Sequence, residues 1–191
     1  MRAVWTAVVG AVGCVLAGCS SGATPAADTL PPLSSTTSAA PSSDALPPQG
    51  PADFPVPPEA RTHDDAGSIA FTYYFIRLVD RQADVPAGQP LRDLGPDCSE
   101  CLRIADSYDR VASAGNRFVG GGLTIVSITN PYAEGDQVVV NFLVSAEAEL
   151  ILSPAGETVQ SLPADAHLGS GVALIWSDEN DSWLVARLAI G

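Results

Sequence analysis

The 191-residue sequence contains no lysine; all nine basic residues are arginine, and they stand against twenty-two acids for a formal net charge of −13. Such a surface repels phosphate backbones, which argues against nucleic acid as a partner. Histidine is scarce as well. His63 and His167 are isolated in the chain, so no zinc-ligand spacing can be completed around them. No apolar run reaches the roughly 20 residues that a membrane-spanning helix needs. The longest, "AVWTAVVGAVGCVLAG" at residues 3–18, is also weakened by Gly10 and Gly13. Phosphate and calcium loops are missing too. "GGG" at 120–122 lacks the Lys and Ser/Thr of a P-loop and reads as a strand bulge. "DENDS" at 178–182 spaces Asp178, Asn180 and Ser182 like the opening of a calcium loop. It lacks the Gly and the Glu that complete one and reads as a hairpin turn.

What the chain does have begins at its first residue. Met1-Arg2, the apolar run and its small-residue end match the three regions of a secretory signal peptide over residues 1–18. The run ends in Leu16-Ala17-Gly18-Cys19, which resembles the lipobox of bacterial lipoproteins. That resemblance implies cleavage before Cys19 and a diacylglyceryl thioether on its sulfur. One acyl chain, at about 0.8 kcal/mol per buried CH₂, binds a bilayer only marginally, whereas two hold stably. The expectation is a protein held on the outer face of the cell membrane through its lipid, with the membrane as its first partner. Arginine without lysine, and much Ala, Gly and Pro, is the composition of a high-GC bacterial genome.

Residues 20–58 hold ten prolines, seven serines and four threonines, with Phe54 as the sole aromatic. Such a stretch buries too little apolar surface to offset its ordering entropy, so 19–58 reads as a lipidated Cys followed by a disordered tether. Residues 59–191 suit one domain. "THDDAGSIAFTYYFIRLVDRQ" predicts a helix capped by Thr62 or Asp64, apolar around most of its girth. A second helix is expected from Ser99 to Ala114, with Leu102, Ala105, Tyr108 and Ala112 inward and Gly115 as its stop. The period then switches to two. "VVVNFLVSAEAELIL" at 138–152 alternates as one long half-buried strand, "GLTIVSIT" precedes it, and "GVALIW" and "SWLVARLAI" follow across the turn "SDEND". The fold class is α+β: two or three N-terminal helices packed in a curved antiparallel sheet.

That layout resembles the cone of the nuclear transport factor 2-like and ketosteroid isomerase-like superfamily. More narrowly, Gly67, the aromatic "FTYYF", the "PL..L" of 90–94, the Cys98/Cys101 pair and the closing "SWLVARLAI" resemble an uncharacterised domain family of high-GC Gram-positive lipoproteins. The resemblance implies fold and location and no activity.

With Cys14 in the signal and Cys19 lipidated, Cys98 and Cys101 remain, outside the reducing cytoplasm. A disulfide at the entry to the second helix is the expectation, ahead of a redox couple or half a zinc site. Tyr73, Tyr74, Tyr108 and Trp176, with Trp183, are the candidate lining of a pocket at the cone mouth; filling of the core is the competing reading. Glu147 and Glu149 fall on the polar side of their strand. No catalytic set, no cofactor site and no metal site is legible. The functional expectation is non-catalytic binding of an envelope protein or cell-wall component, with a small-ligand carrier or cavity enzyme as the alternative.

Overall fold

Asp64 opens the first helix by accepting the Gly67 N–H on its carboxylate at 2.7 Å, which satisfies one of the donors that every helix start leaves unpaired. The helix, α1, runs Asp65–Arg81. In the computed structural model, which describes residues 48–191, Phe71, Phe75, Leu78 and Val79 of α1 are buried, and beyond its first turn only a narrow stripe at Tyr73 and Arg77 faces solvent. The expected signal peptide, Cys19 and most of the tether lie outside the described residues. Gly67 is set by crowding: a Cβ there would lie 2.0 Å from the Thr62 carbonyl oxygen.

A short helix follows, α2 (Gln89–Leu94), with Leu91 and Leu94 buried. The third helix, α3, runs Ser99–Ser113 and stops at Gly115, whose φ is +67°. Its inner face is Cys101, Ala105 and Val111, with Ile104 and Tyr108 half-buried. Ala112, expected inward, is exposed, because the stripe turns through Val111 instead.

Eight strands follow among the described residues. They are β1 (Arg117–Gly120), β2 (Leu123–Ile128), β3 (Tyr132–Glu134), β4 (Gln137–Ala146), β5 (Glu149–Leu152), β6 (Thr158–Leu162), β7 (Asp165–Ser177) and β8 (Ser182–Ile190). One antiparallel sheet has the order β2-β4-β7-β8, with β3 also on β4; the other is β1-β5-β6. The single strand expected over 138–152 is therefore two, β4 in one sheet and β5 in the other. Glycine makes the break. Gly120, Gly121 and Gly122 have φ of +71°, +82° and +142°, a run open to residues without Cβ. Opposite them, Ala148 O accepts from Gly121 N and Gly122 O accepts from Glu147 N, both at 2.9 Å. The "GGG" run is thus not a bulge within one strand but a corner where a hairpin passes from one sheet to the other.

The core lies between the helices and the larger sheet. Val140, Phe142 and Val144 of β4 meet Val172 and Leu174 of β7, Trp183 and Val185 of β8, and the apolar faces of α1, α2 and α3. Burying each large side chain contributes about 1.5–3 kcal/mol. The packed body starts ahead of residue 59. Val56 is buried, Phe54 stacks on Tyr74 with ring centroids 5.2 Å apart, and Asp53 pairs with Arg81. Phe54 and Val56 supply the apolar surface that composition averaged over 19–58 conceals. No helix among the described residues is long and apolar enough to cross a membrane.

Candidate functional site

The four residues proposed to line one pocket do not converge. Tyr74 is buried under Phe54, donates its hydroxyl to the Phe54 carbonyl at 2.9 Å, and has its pKa pushed up to about 12 by burial. Tyr73 stands on the opposite, exposed stripe of α1. Trp176 is stacked on His63 at 4.6 Å and meets Trp183 in a T-shaped contact at 5.2 Å, so it is engaged by neighbouring rings. Trp183 is buried and donates its indole N–H to Thr62 O at 3.0 Å. These aromatics fasten the start of α1 to β7 and β8, which is core work.

Tyr73 lines a hollow of its own, about 230 Å³, with Ile76, Arg77, Leu123, Thr124 and Ile125; Tyr108 borders a separate cleft. It faces α1, α3 and the glycine corner, in a hollow of about 240 Å³ walled by Asp80, Glu100, Arg103, Gly121, Glu147 and Glu149 together with apolar Val79, Ile104 and Leu123. Each wall has a local cause. Asp80 is held by the Leu123 N–H, which it accepts at 3.0 Å, pinning the start of β2 to α1. Arg103 and Glu100 form a paired fork one turn apart on α3. Glu147 and Glu149 are brought over the cleft because the chain bends at Ala148. Burial, and then the charge of Asp80, holds the Glu149 carboxyl above the usual carboxylate range. The Tyr108 phenol is raised by burial first and by Glu149 and Asp80 after it. Its proton is committed, since the hydroxyl donates to Val79 O at 2.9 Å. A Tyr–Glu acid–base pair would need that proton elsewhere.

Asp80, Glu100 and Arg103 were not legible as site residues. The signal available was an acid set directly after the buried pair Leu78-Val79 on an otherwise apolar helix. Among the described residues, no group of three or more His, Cys, Asp or Glu side chains is placed to hold a metal ion. The expected hairpin turn stands at 178–181. There the carbonyls of Asn180 and Asp181 accept from Arg61 at 2.8 and 3.2 Å, and Asp181 takes the left-handed backbone with φ +48°.

Cys98 and Cys101 are joined by a disulfide. Both sulfurs are buried, and Cys98 Sγ also accepts the Cys101 N–H at 3.1 Å as the N-cap of α3. The bridge is wrapped into the core beside Gly95, where a Cβ would press on Cys101 Sγ at 3.0 Å. Two hollows of about 600 and 350 Å³ are open troughs on the outer side of the larger sheet around Asn141, Gly169, Gly171 and Arg187.

The described domain is thus an α+β body of helices against antiparallel sheet. No family model matches the chain, and no curated protein matches it by sequence. Among solved structures it is similar to the intermembrane-space region of the chloroplast protein ARC6, with a TM-score of 0.47 and 12% identity over 68% of this chain and 97% of that one. It is also similar to a variant named Rd1NTF2_05 carrying five substitutions, with a TM-score of 0.38 and 10% identity over 65% of this chain and 99% of that one. Neither likeness bears on the cleft or its chemistry.

Proposed function

We propose that this chain is a lipid-anchored, extracytoplasmic binding module, carried on Cys19 and presenting its domain to an envelope protein or cell-wall component. The arrangement of helices within a bent antiparallel sheet is read as a nuclear transport factor 2-like cone. The observation that carries the binding reading is the filled interior. Phe71, Phe75, Leu91, Phe142 and Trp183 occupy the space that a carrier or a cavity enzyme would keep open. The hollow at Tyr108 is smaller than the roughly 300 Å³ at which small-molecule sites begin. Support for the address is the signal-like run ending in Leu16-Ala17-Gly18-Cys19.

Two measurements test the two halves. Mass spectrometry should find a diacylglyceryl group on Cys19, and Cys19→Ala should leave full-length precursor or release protein to the medium. A bare sulfur on protein recovered from cytosol overturns the anchor. Native mass spectrometry of the detergent-free domain should find no retained small molecule; a stoichiometric lipid or metabolite would replace the module with a carrier.

A further inference from the structure

The outermost strand of the smaller sheet, β6, is left open in a way the other edges are not. Its sequence, Thr158-Val159-Gln160-Ser161-Leu162, has no charge and no proline, and all five residues are exposed. Among the described residues only β5 pairs with it, so its far side presents unpaired backbone N–H and C=O groups. Open edges template pairing with other chains and are ordinarily blunted by charge, proline, a covering element or a bulge. Here β1 carries Arg117, β8 carries Arg187 and packs against α3, and β2 runs beside α1. In contrast β6 has only a bulge, where Val159 is the extra residue between Thr158 and Gln160.

That bulge does more than blunt. It turns both Val159 and Gln160 toward α3, where they line a notch of about 250 Å³ with Val111, Ala114, Ile151 and Arg110. A strand laid along β6 sends alternate side chains to opposite faces, and one set falls over this notch. Backbone pairing supplies attraction in such a mode and the side-chain recess supplies selectivity.

We propose that β6 is a docking edge for an extended segment of a partner protein, which joins the sheet as a fourth strand and seats an apolar side chain between β6 and α3. Charge selects a foreign segment over a second copy. Glu157 precedes β6 and Asp165 follows it, within a region holding eight arginines against twenty acids over residues 48–191. Two copies meeting edge to edge would bring these acids together, whereas a segment flanked by Lys or Arg is drawn in. The occupant is therefore an extended, alternately apolar segment with basic flanks. The edge is separate from the Tyr108 cleft and does not depend on what that cleft holds.

The test starts with a random-peptide display library selected on the full chain. Selected peptides should alternate apolar and polar residues between basic flanks. A synthetic copy should slow amide exchange across residues 158–162. Val159→Lys, at a side chain 59% exposed and therefore harmless to folding, should weaken the peptide on the order of tenfold or more, a hot-spot loss. Glu157→Lys should weaken it and flatten its salt dependence. Peptides without this pattern, unchanged binding to Val159→Lys, or β6 amides left unprotected would each overturn the proposal. Sedimentation showing the chain dimerising, with the dimer lost in Val159→Lys, would overturn it in favour of self-association.

Discussion

The two sheets share the same two stretches of chain, 117–128 and 137–152, yet they fare differently on either side of the glycine corner. In the larger sheet Val140, Phe142 and Val144 are buried to 3% exposure or less. In the smaller one Ile151 is buried, while Val119, Leu150, Val159 and Leu162 stand 36–59% exposed. The alternation of β4 continues through Ala146, Ala148 and Leu150 into β5. What differs is the cover: among the described residues three helices lie against the larger sheet, and the C-terminal half of α3, from Ser107 and Tyr108 to the cap at Ala114, reaches the smaller. Alternation reports that a strand has two faces, not that either face is covered.

Replacing Phe142 by Ala should break the larger sheet's side of this contrast most heavily, costing about 3–5 kcal/mol in chemical denaturation. A loss under about 1 kcal/mol would mean that the core is not continuous there. Gly120→Val attacks the join itself. Its φ of +71° and the Ala148 oxygen 2.6 Å from the new Cβ should cost on the order of 1–3 kcal/mol, with exchange quickening in β5 and β6 before β4 and β7. Paired Cys98→Ser and Cys101→Ser changes should lower stability by about 2 kcal/mol on the chain-entropy account of a four-residue ring. Thiol titration of the unreduced protein should correspondingly find no free thiol at 98 or 101. Val159→Ala, in the uncovered sheet, should fall within about 0.5 kcal/mol of the parent.

The smallest effect is a matter of pH at the corner. Because the folded-state pKa of Glu149 is raised, its ionised form costs stability, a cost absent below the ordinary carboxylate pKa and complete above the raised one. Glu149→Gln should therefore raise the melting temperature slightly at pH 7 and leave it unchanged at pH 3. A gain that persists at pH 3 would trace the effect to packing instead.

Much of the fold was legible locally. The Asp64 cap, the girdle of apolar residues on α1, the Gly115 stop and the "SDEND" hairpin rest on interactions within a few residues, and each stands where the pattern put it. The cysteine pair was legible because the expected signal and lipid account for Cys14 and Cys19 and leave Cys98 and Cys101, three residues apart, in an expected oxidising compartment. Strand β6 was passed over, because five uncharged residues without an apolar face carry no period. The break at Ala148 was hidden because Ala146, Ala148 and Leu150 keep the alternation going through it. The signal for the break lay in the glycines some 27 residues upstream, not in the strand itself.

The sequence alone determined what short-range chemistry determines: caps, stops, turns, the two-residue period of the strands, the acid excess and the motif at Cys19. Only the tertiary structure decided which aromatics share a neighbourhood, where the strands change sheets, and that Asp80 faces Glu149 across a cleft. Those relations join residues tens of positions apart, and chain geometry brings them together only once the core has closed.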